Sequence, residues 1–172
     1  MVSCWSEITT NAIEQGDLFV DCEIPNLPTA PFGADASTGD LMLQKMSTIV
    51  LTQTCQIEQQ KIKNAVICRI STVSLFDRGQ DGARGKTFWS NVRSWRDDRF
   101  HLLHPPSESD LFAELLVVDF REIYTPSVSY LQTLAVGAKR SRLLSPYVEH
   151  LAQRFGYYFM KIALPTKLPT HP

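Results

Sequence analysis

Several features that would assign a function quickly are missing from this sequence. The four cysteines form no C-x-x-C pair and have no histidine at ligand spacing, so neither a zinc knuckle nor a redox motif is predicted. No run approaches the roughly 20 apolar residues of a membrane span, and the first residues lack the basic start and apolar stretch of a signal peptide. No repeat of fixed period is visible. We therefore expect a cytoplasmic protein with reduced thiols, no membrane contact, no cofactor and no bound metal.

The charge balance is also uninformative about partners. Lys and Arg total 17 against 18 Asp and Glu, a net charge of −1, which excludes a histone-like basic protein but not a local basic patch. A chain of 172 residues with 44% hydrophobic residues can bury its own core. We predict a single domain over residues 1–172.

The hydrophobic pattern places strands first and one clear helix last. A Pro- and Gly-rich stretch at 24–45 is predicted to be a loop, residues 73–99 an irregular insertion, and residues 124–135 a loop with one helical turn after Pro126. The runs that favour strands are 17–22, 47–54, 64–71, 100–103 and 115–120. This order, with no alternating βαβ units, favours a mainly β fold: a curled antiparallel sheet covered by a helix.

The C-terminal helix is the clearest element. Ser145 is a suitable N-cap and Pro146 suits the first helical position, so we predict a helix from 146 to about 163. Its apolar positions recur at steps of three and four: Val148, Leu151, Phe155, Tyr158 and Ile162. It also carries more aromatic residues than one buried face needs, which predicts self-association or a protein partner, unless the insertion covers the second face.

Several strings in this order resemble the MazF/PemK family of toxin-like proteins. They are GDLF at 16–19, IVLT at 49–52, AVICRIS at 65–71 and LLVVDFREI at 115–123. The resemblance implies an SH3-like barrel at about 16–123 with a C-terminal helix, and a place in a bacterial stress or defence system.

The resemblance also implies a site for cutting RNA without metal, built from an arginine before the second strand and a hydroxyl after the third. Ser71, with Thr72 beside it, matches the hydroxyl, although a structural strand-end hydroxyl is the alternative. Lys45 stands near the arginine position, and residues 1–67 contain no arginine. Lysine lacks the planar fork of a guanidinium. We therefore predict a degenerate catalytic set and a regulatory or interaction protein; the alternative is an active metal-independent endoribonuclease, with Lys45 or an arginine of the insertion as the base.

The insertion combines cations with aromatic rings. Such a mixture suits single-stranded RNA and equally suits a protein interface; alternatively, its tryptophans fold back on the sheet. The predicted binding residues are Arg78, Arg84, Lys86, Trp89, Arg93, Trp95, Arg96 and Arg99.

Two further sets of residues, one cysteine and four acidic residues, have a structural interpretation as well as a functional one. Cys55 is predicted to be a buried structural thiol; as a nucleophile it would need His101, His104 or His150 nearby in space. The acidic residues Asp97, Asp98, Asp119 and Glu122 are predicted to be solvated or paired with Arg96, Arg99 and Arg121 rather than to hold a metal.

Overall fold

The computed structural model describes residues 4–26, 42–79, 84–106, 113–138 and 140–160. Its strands are β1 (Trp5–Ile8), β2 (Asp17–Asn26), β3 (Met42–Val50), β4 (Ile67–Thr72), β5 (Phe100–Leu103), β6 (Leu116–Tyr124) and β7 (Arg140–Leu143). Its helices are α1 (Thr54–Glu58), α2 (Val73–Arg78), α3 (Lys86–Arg93), α4 (Val128–Ala135) and α5 (Tyr147–Phe159).

The seven strands form one antiparallel sheet in the order β1-β7-β2-β3-β4-β6-β5. The prediction of a mainly β, antiparallel fold with helices is confirmed. Among the described residues no ladder joins the edge strands β1 and β5, and the SH3-like type stays a prediction. The two edges are linked instead by a side chain, because the Trp5 indole Nε1 donates a hydrogen bond to the carbonyl of His104 at 2.7 Å.

One face of the sheet is covered by α5, as the helical spacing predicts. Leu151 is fully buried, and Val148, Phe155 and Tyr158 pack on the same core cluster, which includes Phe120. The predicted Ile162 lies outside the described residues. None of the helices in the described ranges combines the length and the hydrophobicity that crossing a bilayer requires.

The start of α5 differs from the prediction. Pro146 is the N-cap residue and Ser145 makes no capping bond. The carbonyl of Leu144 accepts from the backbone N–H groups of Tyr147 at 2.8 Å and Val148 at 3.1 Å, so the first turn is satisfied by backbone without a side-chain cap.

Other boundaries shift where polar residues continue a regular element. β2 runs on through Pro25 to Asn26 and β3 begins at Met42, so the predicted loop 24–45 is too long; residues 27–41 of it lie outside the described residues. β3 ends at Val50, and Thr54 begins α1. The insertion, predicted to be irregular, holds α2 and α3. The single predicted turn after Pro126 is the two-turn helix α4, capped by the Ser127 hydroxyl, which accepts from Tyr130 N at 3.1 Å.

The strands β1 and β7 have no counterpart in the sequence-based prediction and extend the sheet beyond 16–123. β7 is a charged strand, held by a buried ionic cluster. Arg142 donates from Nη2 to the fully buried Asp17 at 3.1 Å and pairs with Glu14. Arg140, also buried, lies 3.8 Å from the Asp17 carboxylate, and its Nη2 donates to two backbone carbonyls. Burial lowers the pKa of Arg140, and the carboxylate opposes that effect.

Candidate anion-binding site

The insertion packs on the sheet face opposite α5. Phe76 of α2 and Val92 of α3 are buried with Phe100 and Val117 of the sheet. Trp89 belongs to this aromatic cluster, with its ring centroid 5.9 Å from that of Phe76. Its role in binding stays a prediction. Its ring is half-buried in this packing, which agrees with the alternative that the tryptophans of the insertion fold back on the sheet.

The predicted cations of the insertion fall into two groups. Three of them have local contacts: Arg78 Nε donates to the carbonyl of Ser74 at 3.3 Å, Arg84 lies over the Phe88 ring at 5.3 Å, and Arg99 forms a two-pronged ion pair with Asp97. The Arg99 pair lowers the pKa of Asp97. Lys86, Arg93 and Arg96 form the second group: they are exposed on α3 and the turn after it.

Two of the predicted acid pairings are therefore present, since Asp97 pairs with Arg99 and Asp119 pairs with Arg121 at 2.7 Å. Glu122 pairs with Arg69 instead, at 3.0 Å. Within the described ranges, no group of three His, Cys, Asp or Glu side chains is arranged to hold a metal ion.

Trp95 ends α3 in an unusual way. Its N–H donates to the carbonyl of Val92 at 3.2 Å, and the next N–H, of Arg96, donates to Asn91 at 2.9 Å. These two bonds are a Schellman motif, in which the residue at the Trp95 position adopts positive φ and is usually glycine. Trp95 has φ +63°, which costs an L-residue about 1–2 kcal/mol. A side-chain contact can offset part of that cost.

That contact is with α5. The Trp95 ring lies 4.6 Å from the ring of His150, and the Arg154 guanidinium carbon lies 5.1 Å from the Trp95 centroid. Trp95 nevertheless keeps 51% of its surface exposed. The insertion and α5 thus meet at an aromatic side chain that stays half exposed.

Arg154 is the central residue of this meeting point. It is only 5% exposed, and its guanidinium carbon lies 5.9 Å from the ring centroid of Tyr157, a second aromatic contact beside Trp95. Its Nε and Nη2 have no hydrogen-bond partner, and no ion pair is found for it in the part of the chain that the structure describes. A buried cation normally has hydrogen-bond partners and a partner of opposite charge.

Two histidines complete the cluster. His101 of β5 is 6% exposed, with its ring stacked on Phe120 and 5.3 Å from the ring of His150. Burial, together with the charges of His150 and Arg154, lowers the pKa of His101 to about 4. The site is therefore one buried guanidinium beside two imidazoles and two half-exposed aromatic rings. His101 is neutral near pH 7 because of its lowered pKa, so Arg154 is the group that would attract an anion.

Neither the scan against protein-family models nor the search of curated proteins found a match to this chain.

The residues predicted for RNA cleavage are not part of this cluster. Ser71 is buried in β4, paired in register with Val117, and Thr72 caps α2 by accepting from Leu75 N at 3.2 Å. Lys45 lies on β3 opposite Glu23 of β2 and forms an exposed ion pair with it at 3.6 Å.

Cys55 corrects another prediction. It is exposed on α1, with its Sγ 4.0 Å from the Gln53 side chain, and is not a buried strand residue. The run that was predicted to continue β3 turns into a helix after Val50, which carries Cys55 to the surface.

The sequence-based prediction missed Arg154 and considered the histidines only as partners of Cys55. The sequence does indicate that His150 and Arg154 lie close together, because they are four residues apart and so share a helix face. Their contact with Trp95 and His101 depends on the tertiary fold.

Proposed function

We propose that this chain is a cytoplasmic regulatory or interaction protein on a MazF/PemK-like, SH3-like scaffold whose cleavage residues are degenerate. The order of the matching strings along β2, β3, β4 and β6 supports the scaffold, as does the C-terminal helix packed across the sheet. A role in a bacterial stress or defence system rests on the resemblance alone.

The positions of the predicted catalytic residues support the loss of cleavage. Ser71 is enclosed in the sheet, and Thr72 is used as a helix cap. Lys45 is paired with Glu23 of β2, the neighbour of β3 on the side away from β4, which carries Ser71. No hydrogen bond joins Ser71 to an arginine in the described residues. An attacking ribose oxygen needs both a base within reach and a positioned cation.

The observation that carries the binding function is the meeting of the insertion with α5. At that point Arg154 is buried with two N–H groups unused, beneath the exposed Trp95 and Tyr157. Lys86 and Arg93 add exposed positive charge on α3, and Arg96 adds it in the turn after α3. We propose this surface as the interface for the partner.

The alternative activity is a metal-independent endoribonuclease acting through Ser71 or Thr72 with Lys45. Incubating the protein with single-stranded RNA in chelator separates the two functions. We expect the RNA to stay intact. Cleavage that disappears in Ser71→Ala or Lys45→Ala would overturn the binding proposal.

The interface has its own test. Replacing Lys86, Arg93 and Arg96 together with Gln is expected to weaken the complex without lowering the melting temperature, because all three side chains are exposed. Replacing the exposed Lys61 and Lys63 with Gln is the control. Unchanged affinity in the triple variant would place the interface elsewhere. A fall in affinity with salt would indicate nucleic acid, whose phosphates release counterions when bound.

A further inference from the structure

We infer that Arg154, with His150 and His101 beside it, binds the phosphate of a nucleotide in single-stranded nucleic acid, and that Trp95 stacks on the base. This inference rests on the proposed function, since it names the ligand class of the surface where the insertion meets α5.

The first argument is the unused bonding capacity of Arg154. Arg140 is buried to the same degree and also has two unpaired nitrogens, but its Nη2 donates to two carbonyls and it lies beside the Asp17 carboxylate. Arg154 has aromatic rings as neighbours and no carboxylate paired with it in the described residues. Its Nε and Nη2 are enclosed and unpaired, which leaves a bonding capacity that two oxygens of one anion would satisfy.

The second argument is the placement of Trp95. A residue at that point of a Schellman turn is usually glycine, yet here it is a large ring at φ +63°. The ring contacts Arg154 and His150, and 51% of the residue's surface stays exposed. An exposed aromatic face beside a cation is what a nucleic-acid base requires for stacking.

The chemistry of the cluster favours phosphate over the carboxylate of a protein partner. Three nitrogen-bearing groups converge here from two elements, Arg154 and His150 from α5 and His101 from β5. A phosphate offers several oxygens and carries a base nearby, so it can use the donors and the exposed ring together. A single carboxylate carries no base, so it would leave the exposed ring unused.

The experiment uses the full chain and four probes: inorganic phosphate, uridine 5′-monophosphate, uridine and acetate. Binding is measured by calorimetry and by the NMR signals of His150 and His101. We expect the nucleotide to bind more tightly than phosphate, with shifts of both histidine signals, and uridine and acetate to bind much more weakly. Acetate binding as tightly as phosphate would indicate a carboxylate-bearing partner and overturn the inference, as would no binding by any probe.

Two variants assign the roles. Arg154→Lys keeps the charge but loses the fork, and should raise the dissociation constant of the nucleotide by about tenfold, the effect of one charge-assisted hydrogen bond. Arg121→Lys, the same change at an exposed residue of β6, should leave it unchanged. Trp95→Gly suits the backbone conformation of the turn. It should weaken the binding of the nucleotide and leave the affinity for inorganic phosphate unchanged. Circular dichroism confirms that each variant is folded.

Equal affinity of Arg154→Lys and the wild type would overturn the inference. RNA cleavage that depends on Ser71 would overturn the proposed function instead. The two failures are distinguishable because phosphate binding is measured without any RNA present.

Discussion

Acid should destabilise this protein through His101, and the size of the effect follows from its burial. The pKa of His101 is lowered from 6.5 to about 4 in the folded chain. The unfolded chain therefore binds this proton more readily between those values, and the stability is complete above pH 6.5 and is lost as the pH falls toward 4. The full difference corresponds to about 3 kcal/mol of unfolding free energy, and roughly 2 kcal/mol of it is lost by about pH 5.

The measurement compares wild type with His101→Phe, which keeps a ring against Phe120 but cannot titrate. Urea unfolding at about pH 7.5, 6 and 5 gives the free energy of unfolding for both proteins. We expect the wild type to lose about 2 kcal/mol relative to the variant across this range, while other acid effects cancel between the two proteins. A constant difference, or an NMR titration of His101 near 6.5, would refute the reasoning.

Three other substitutions test the fold. Asp17→Asn should cost about 3–5 kcal/mol, because it breaks a buried pair with Arg142, measured by urea unfolding; a loss below ~1 kcal/mol would mean that the ionic cluster does not hold β7. Gly16→Ala should destabilise by about 1–3 kcal/mol, more than Gly137→Ala. Both glycines have positive φ, but only at Gly16 would a Cβ meet side chains, at 3.1 Å, so equal melting temperatures would count against this account. Thr72→Ala should cost about 1 kcal/mol through loss of the α2 cap and leave nucleotide affinity unchanged; weaker binding would assign Thr72 to the site.

The sequence predicts the elements whose hydrophobic pattern is decided locally. β5 has the bounds predicted from FHLL at 100–103, and the buried face of α5 follows from its spacing. β7 could not be predicted in this way, because RSRL at 140–143 has the composition of a surface loop. Its backbone pairs with β1 and β2, and its arginines pair with Asp17, far away in sequence.

The candidate site was predictable only in part. The mixture of cations and tryptophans in the insertion predicts Trp95 as a binding residue, and the helix pattern places His150 and Arg154 on one face. No local pattern indicates that the end of α3 lies against α5, or that Arg154 is buried without an acceptor. Both depend on how the insertion, β5 and α5 pack together in the tertiary fold.

The strand order has a consequence for how the protein is made. β7 lies between β1 and β2, so β1, the first strand of the described residues, cannot join the sheet until the segment that forms β7 has been synthesised. Until then β2 is an open edge, able to pair with another nascent chain. Folding should therefore be slow, and a ribosome stalled before residue 140 would display a sheet without β7, to which chaperones can bind.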